Sequence, residues 1–132
     1  MKRMQSLAAF LFALLFAASA AAQPYPNKPI RVVIPFGPGS TTDIITRILT
    51  QSVSNAMGQP FVIDNRPGAD GAIAGNEAAK APADGYTLFI GSGSPLAAVP
   101  ALRKNPPYDS VRDFTPITDI GRFTLFMYVN AE

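Results

Sequence analysis

Apolar residues follow two different rhythms along this chain, and the two rhythms predict strands and helices in alternation. Three short runs of mostly β-branched and aromatic residues are typical of buried strands: 30–34, 61–63 and 86–90. Residues 41–57 instead repeat their apolar side chains every three or four positions, which is the spacing of one helical face. Two shorter helices are predicted over the alanine-rich residues 72–80 and over residues 96–102.

This alternation of strand, glycine-containing loop and helix predicts an α/β fold, in which a parallel sheet carries helices on its faces. Because crossovers between parallel strands are right-handed, we expect the three loops at one edge of the sheet, where the strands end. Ligands of open α/β sheets bind at that edge. Ser40, with Asp43 three positions on, resembles a capping box for the long helix, and Gly58 is a natural stop for it. The strongly β-forming residues 123–129 suggest a fourth strand.

The first 22 residues have the three regions of a secretory signal peptide. Two basic residues near the start precede a run of 12 apolar residues, 7–18, and small residues at 20–22 suit a cleavage site. A membrane anchor, which is the alternative, needs about 20 apolar residues. We therefore predict a cleaved signal peptide over residues 1–22, export by the general route and a mature domain over residues 23–132.

Cleavage changes the charge balance of the chain. The full sequence has 11 Lys and Arg against 9 Asp and Glu, and the loss of Lys2 and Arg3 leaves nine of each sign. A mature domain with no net charge and no basic cluster gives no indication of a nucleic acid or a membrane surface as partner.

The sequence contains no cysteine and no histidine. Zinc sites built from these residues are therefore excluded, as is a Ser-His-Asp or Cys-His nucleophile within this chain. Without disulfides, an exported chain depends on a packed core. The aspartates are spread one to a loop instead of being clustered, so we predict no metal site and no cofactor.

The loop after the first predicted strand carries the strongest candidate site, with the sequence FGPGSTTD over residues 36–43. Its two glycines let a ligand approach the main chain, and the amides at the start of a helix favour a carboxylate or a phosphate. The alternative is a tight turn with a helix cap. Nucleotide loops are excluded by spacing, because no lysine follows as in the Walker pattern and Thr42 stands where the dinucleotide fingerprint needs a glycine.

The second loop adds two charged candidates. Arg66 is the only basic side chain in the three loops, and its guanidinium could bind a carboxylate or pair with Asp64 or Asp70. Asp70 would repel an anionic ligand. It could instead turn outward, accept a hydrogen bond from a ligand amine, or shape the turn.

The third loop, GSGSP over residues 91–95, superficially resembles a nucleophile elbow. It lacks the final glycine, and the chain has no histidine to activate a serine. A small exported α/β enzyme that uses Ser92, Ser94 or Asp43 is nevertheless the alternative function from another class.

Three motifs in this order resemble the substrate-binding proteins of tripartite tricarboxylate transporters, also called the Bug family. They are YPNKPIRVVIPFGPGSTTDIITRIL, GQPFVIDNRPGADGAIAGNEAAKAPADGYTLFIGS and PYDSVRDFTPIT. The resemblance implies a type II periplasmic-binding-protein-like fold, in which two α/β lobes close on a solute. This chain would be an incomplete first lobe. The implied function is the capture of a small carboxylate, amino acid or related solute for the membrane subunits of the transporter.

The resemblance also implies which residues contact the solute. In such proteins the first two loops supply backbone and water-mediated contacts to a ligand carboxyl group, and the third loop lines the same edge. The implied ligand-binding residues of this sequence are Phe36, Gly37, Pro38, Gly39, Ser40, Thr41, Asp43, Pro67, Gly68, Ala69, Asp70, Gly71, Gly91 and Ser92. Ser40 and Asp70 stand where the family usually has glycine, so each adds a side chain beside the expected carboxylate.

Members of that family are longer than this chain, so we expect it to be a fragment or a truncated product. Half of a two-lobed site cannot enclose a solute, and we expect the chain alone to bind solutes very weakly or not at all. Micromolar binding of a dicarboxylate in calorimetry would contradict this expectation. Uncovered sheet edges and apolar surface would also favour association. A truncated paralogue without function is a further alternative.

Overall fold

Three parallel strands form the centre of the molecule in the computed structural model, which describes residues 24–122, 124 and 126–130. The strands are β1 (Ile30–Ile34), β2 (Phe61–Asn65) and β3 (Thr87–Phe89), in the order β2-β1-β3. Both neighbours pair with β1 in parallel, Ile30 with Phe61 and Arg31 with Thr87. The predicted strands and the parallel sheet are therefore confirmed. The predicted signal peptide, residues 1–22, lies outside the described residues.

The middle strand, β1, is the most deeply buried strand of the sheet. Ile30, Val32, Val33 and Ile34 are all buried, because β1 has a strand on each side. Removing each of these side chains from water contributes roughly 1.5–3 kcal/mol. The β-branched pattern of this run is thus explained by its central position.

Three helices connect and flank the strands. They are α1 (Thr41–Met57), α2 (Ala72–Ala79) and α3 (Val99–Leu102). A 3₁₀ turn over Ala69–Gly71 precedes α2, and a π-helical turn over Ser94–Ala98 leads into α3. The two longer helices agree with the prediction within one residue at each end, and the third differs because its first turn is π-helical.

Helix α1 begins and ends where the sequence predicts. The Ser40 hydroxyl accepts a hydrogen bond from the Asp43 amide at 3.2 Å, and Gly58 closes the helix in a left-handed conformation with φ 68°. In a capping box the acid would return the bond to the amide of the cap residue. Here the Asp43 carboxylate accepts from the Gly39 amide instead, at 2.9 Å. The helix start and the loop before it are therefore joined into one unit.

The apolar face predicted for α1 is not the face that the fold buries. The helix packs on β2, and its buried residues are Asp43 and Thr46. Ile44 and Ile48 are 51% and 64% exposed, and the remaining apolar side chains of the helix are at most partly covered. Because β2 is at the edge of the sheet, the described residues cover only part of the circumference of α1.

The chain after α3 folds back over α2 and β3. Tyr108 is buried with Ala72 and Val99, and its hydroxyl donates to the Pro95 carbonyl at 2.6 Å. Its ring lies so close to Gly75 that a Cβ there would be 2.4 Å from it. Phe114 extends the cluster by stacking on Phe89 at 5.4 Å between ring centroids. Residues 103–114 thus hold the π-helical turn from outside.

The predicted fourth strand is not formed. Within residues 123–129, the described positions carry no strand, and Phe126 to Val129 are exposed. A β-forming sequence needs a neighbouring strand to bond its amides and carbonyls, and no strand of the described sheet pairs with these positions. Among the described residues, no helix is long and apolar enough to cross a membrane.

Candidate functional site

The three loops that follow the strands lie at the same edge of the sheet, as predicted. We define loop 1 as residues 35–40, loop 2 as residues 66–71 and loop 3 as residues 90–94. Two backbone hydrogen bonds extend the sheet into them, from Arg66 to the Ile34 carbonyl at 2.8 Å and from Ile90 to the Val33 carbonyl at 3.1 Å. Loop 1 follows β1 directly, and the first residues of loops 2 and 3 are hydrogen-bonded to the end of β1.

Gly71 is the point where the loops meet. It is buried with φ 89°, and a Cβ on it would lie 2.8 Å from Pro95 Cβ and 3.0 Å from Pro35 Cβ. These two prolines flank the site on loop 1 and just after loop 3. Only glycine combines this conformation with so close a contact, and the predicted site residue Gly71 therefore acts as a packing junction.

Asp43 supports loop 1 from the buried side of the helix start. Its side chain is only 3% exposed, and its carboxylate accepts hydrogen bonds from Arg47 Nε at 3.0 Å, the Gly39 amide at 2.9 Å and Asn65 Nδ2 at 3.1 Å. The Arg47 bond, followed by the other two, holds the pKa of Asp43 well below its usual range. The carboxylate is therefore charged and fully occupied by internal partners, and a direct contact of Asp43 with a solute stays a prediction.

Asn65 is a member of this site that the sequence analysis missed. Besides Asp43, its side-chain amide donates to the Phe36 carbonyl at 2.9 Å. The available signal was its position as a polar residue directly after a β-branched run, at the expected edge of the sheet. Its contact with loop 1 follows from strand register, because Asn65 pairs with Ile34.

The start of α1 offers amides to a ligand. Ser40 accepts hydrogen bonds from two backbone amides of the first helical turn. Its hydroxyl accepts from the Asp43 amide, and its carbonyl accepts from the Ile44 amide at 2.9 Å. The amides of Thr41 and Thr42 precede the first intrahelical hydrogen bonds and have no carbonyl of the helix to bond. Thr41 and Gly39 are exposed, so this end of the helix is open at the loop edge.

Loop 2 is shaped by its backbone. Ala69 and Asp70 both have positive φ, 50° and 60°, which non-glycine residues rarely adopt. Their carbonyls are held from the side, Asp70 by the Ser94 hydroxyl at 3.0 Å and Ala69 by Arg103 Nη2 at 2.8 Å. The Asp70 side chain is 79% exposed and lies 3.9 Å from Arg103. It therefore turns outward and shapes the turn, two of the options that the sequence leaves open.

Arg66 is engaged below the loop by acidic side chains. Its Nε lies 2.9 Å from an Asp64 oxygen and 3.4 Å from a Glu77 oxygen, and Arg31 bonds the same two acids. Burial alone would raise the pKa of Asp64, but the hydrogen bonds from Arg31 and Arg66 outweigh it and lower that pKa. Of the two interpretations of Arg66, the geometry favours internal pairing, and pairing with Asp64 and not with Asp70.

Loop 3 has hydroxyl groups but no catalytic partner for them. The Ser94 hydroxyl is used by the Asp70 carbonyl, and the Ser92 carbonyl accepts from the Leu96 amide at 3.1 Å. Gly91 is packed, since a Cβ there would lie 2.9 Å from the Phe89 ring. The absence of histidine from the sequence leaves both serines without the usual base.

The predicted site residues thus occupy one edge of the sheet with different exposures. Those open to solvent are Pro38, Gly39, Thr41, Pro67, Gly68, Ala69 and Asp70. Those partly covered are Phe36, Gly37, Ser40, Gly91 and Ser92, and those buried are Asp43 and Gly71.

Two surface depressions lie beside the edge, away from the start of α1. One of about 330 Å³ is lined by Asp70, Ser94 and α3, and one of about 500 Å³ lies against residues 106–113 and contains none of the predicted residues. Within the described part of the chain, no group of acidic side chains could hold a metal ion.

Comparison with known proteins places the chain among transport receptors. Residues 45–132 match the model of the tripartite tricarboxylate transporter family receptor. Protein BugT of Bordetella pertussis is 39% identical over 117 residues, which is 88% of this chain and 36% of BugT. The chain therefore spans about a third of the length of the curated relatives that it matches.

Solved structures resemble the described fold. A periplasmic transporter matches 72% of this chain and 32% of its own chain, with 53% identity and a TM-score of 0.70. MatC from Rhodopseudomonas palustris, solved with bound malate, matches 70% of this chain and 31% of its own, with 37% identity and a TM-score of 0.66. The predicted α/β lobe of a periplasmic binding protein is thereby confirmed, as part of a domain.

Proposed function

Since the chain belongs to the tripartite tricarboxylate transporter receptor family, we propose that it supplies part of the first lobe of a periplasmic solute receptor. The receptor captures a small carboxylate, or a related solute such as an amino acid, and delivers it to the membrane subunits of the transporter. The mature domain over residues 23–132 reaches the periplasm through the cleaved signal peptide, residues 1–22.

The observation that carries this proposal is the convergence of three loops on Gly71 beside the open start of α1. Backbone amides there face the edge where ligands of open α/β sheets bind. A helix start with oriented amides favours an anion, and a carboxylate is the smallest anionic group that many metabolites share. The malate bound to MatC is of this chemical class.

The predicted residues divide into two roles under this proposal. Contacts to the solute come from the open backbone of loops 1 and 2, with Thr41 as the first free amide, and from Gly91 and Ser92 at the side. Asp43 and Gly71 act through other residues, since both are buried. Because the charged side chains at this edge are paired with one another, the solute is recognised by main-chain hydrogen bonds and not by an ion pair.

The same geometry supports a receptor in preference to an enzyme. Covalent chemistry at Ser92 or Ser94 needs a base within hydrogen-bond reach. The Ser94 hydroxyl already bonds a backbone carbonyl, and Asp43, the nearest acid in sequence to loop 1, is occupied by three donors. The loops therefore support binding without a reaction.

Nuclear magnetic resonance titration of residues 23–132 with malate tests the proposal, because it detects binding even when affinity is only millimolar. We expect saturable amide shifts in loops 1 and 2 and none around Gly85 and Tyr86, which lie at the opposite edge of the sheet. The uncharged diamide of malate should cause no shift.

Thr41→Pro provides a matched variant for this titration. It removes one exposed amide at the first helical position, where proline is tolerated, and Ser40 already has the extended backbone that precedes a proline, with ψ 158°. Loss of one hydrogen bond to a charged group should weaken malate binding by about tenfold or more. Saturable shifts confined to residues outside loops 1 and 2, or unchanged affinity in Thr41→Pro, would refute the proposed function.

A further inference from the structure

We propose that Asn65 is a positioning residue for solute binding, which sets the shape of loop 1 through the buried Asp43. The inference rests on the proposed function, since it concerns how that site is kept ready for a solute. Asn65 is the last residue of β2, outside the set of residues that the family resemblance implies.

The side-chain amide of Asn65 joins two segments of the chain that flank loop 1. Nδ2 lies 2.9 Å from the Phe36 carbonyl, near the start of the loop, and 3.1 Å from Asp43 Oδ1, in the first turn of α1. Register places it there, because Asn65 pairs with Ile34 immediately before the loop.

Asp43 passes this constraint on to the far end of the loop. Its second oxygen, Oδ2, accepts from the Gly39 amide at 2.9 Å and from Arg47 Nε at 3.0 Å. A continuous path of hydrogen bonds therefore runs from the Phe36 carbonyl through Asn65 and Asp43 to Gly39. This path spans the four residues 36–39 of loop 1 and consists only of contacts within the chain, so it is present before a solute binds.

Within loop 1, a turn bond from the Ser40 amide to the Gly37 carbonyl at 3.2 Å gives some internal support, but its glycines add no packing. A Cβ added to Gly37 or Gly39 would have no other heavy atom within 4 Å, and Gly39 has φ 80°. Glycines in open space have many backbone conformations available. With the Gly39 amide bonded to Asp43, the next amides without a carbonyl of the helix to bond are those of Thr41 and Thr42, at the start of α1.

An asparagine fits this position for a chemical reason. Its NH₂ group has two donors, one for a carbonyl and one for a carboxylate, and carries no charge. An aspartate of the same size would set a carboxylate against two acceptors. Neighbouring carboxylates cannot both ionise freely, so such a pair retains a proton to higher pH than either group alone.

Asn65→Asp therefore tests the inference with a pH signature. At neutral pH we expect amide exchange of Gly39 to be roughly tenfold faster than in the wild type, the effect of one lost hydrogen bond. The malate-induced shifts of Thr41 and Thr42 should weaken in parallel. As the pH falls and the carboxyl pair takes up a proton, both differences from the wild type should shrink. A merely structural loss would show no such recovery.

Two further variants make the comparison complete. Asn55→Asp adds the same charge on the exposed surface of α1 and should behave as the wild type at every pH. Asp43→Asn keeps the size of the side chain but removes its charge, so the excess of Gly39 exchange over the wild type should persist unchanged from neutral pH down to about pH 4. This second variant also decides the matter if Asn65→Asp does not fold.

If Asn65→Asp at neutral pH keeps the Gly39 exchange rate and the malate shifts of the wild type, the inference about Asn65 is overturned. The proposed function would still stand in that case. If Asn65→Asp does not fold, wild-type Gly39 exchange in Asp43→Asn would overturn it. Saturable malate shifts confined to residues outside loops 1 and 2 in the unmodified chain would overturn the proposed function, and the solute-binding role of Asn65 with it.

Discussion

Loops 1 and 2 lie side by side at one edge of the sheet, but their shapes depend on different interactions. Loop 1 is held by side chains, with Asp43 and Asn65 bonding its backbone at both ends. Loop 2 has four consecutive residues with positive φ, from Gly68 to Gly71, and two of its carbonyls accept from the Ser94 and Arg103 side chains. The shape of loop 1 therefore depends on a buried carboxylate, whereas that of loop 2 depends mainly on sterically permitted backbone conformations.

This difference determines which changes each loop tolerates. The hydrogen bonds of loop 1 involve a carboxylate, so its shape responds to protonation and to substitutions that exchange donors and acceptors. Loop 2 depends on the space around Gly71 and on residues that accept positive φ, so its shape responds to side-chain size and not to pH. The following variants test this distinction, in order of decreasing expected effect.

Gly71→Ala should have the largest effect. The added methyl group would meet Pro95 at 2.8 Å and Pro35 at 3.0 Å, in a backbone conformation that alanine resists. We expect the free energy of unfolding, measured in urea, to fall by about 3 kcal/mol or more. Gly39→Ala in loop 1 has a similar φ but open space, and it should cost only about 1 kcal/mol. Equal losses would show that the packing at Gly71 is unimportant.

Asp43 should make the stability of loop 1 depend on pH. Its pKa is lowered in the folded chain, so it stabilises the fold above its unfolded pKa, about 3.9, and this contribution is lost as the pH falls below that value. Asp43→Asn should therefore be less stable than the wild type at pH 7, and the difference should shrink in acid below about pH 4. Urea unfolding across this range measures it, and a constant difference would contradict the prediction.

Tyr108→Phe should loosen the outer support of loop 2. The variant leaves the buried Pro95 carbonyl without its donor, which costs roughly 1–2 kcal/mol of unfolding free energy. Hydrogen exchange should become faster in loop 2, through the contact of Pro95 with Gly71, while loop 1 stays protected. Tyr128→Phe, at an exposed position, provides the control and should change neither measurement.

Ala69→Gly should give the smallest effect, and a favourable one. Glycine removes the steric cost of φ 50° at the expense of a more flexible unfolded chain, for a net gain of about 0.5 kcal/mol. Ala83→Gly, at an exposed turn position, should lose a similar amount. A loss in both variants, measured by thermal unfolding, would mean that Ala69 is not strained.

The elements that could be predicted are those specified by local sequence. The β-branched run of β1, the Ser40 cap and the Gly58 stop each act within a few residues, and the structure confirms them. The prediction of a fourth strand was wrong at the described positions, and the apolar face of α1 is not the face that the described residues bury. Both depend on neighbouring layers that sequence rhythm does not describe. Among the described residues, no strand pairs with residues 126–130, and α1 lies over an edge strand.

The site divides in the same way. The three loops could be placed at one edge from the order of elements. The residues implied by family resemblance lie on them or, for Thr41 and Asp43, in the first turn of α1. Asn65 could not be assigned a role, since its contact with Phe36 depends on register across 29 residues. The support of the π-helical turn by Tyr108 likewise joins residues 13 positions apart through a tertiary contact.

The strand order has a consequence for how the chain is made. Synthesis delivers β1 first, but its partner Phe61 comes 31 positions after Ile30, and Thr87 comes 56 positions after Arg31. Until Phe61 is made, this buried central strand has neither of its lateral neighbours, and until Thr87 is made it has only one. Vectorial synthesis therefore presents the future centre of the sheet to the cell as an unpaired strand, which is the kind of segment that chaperones bind.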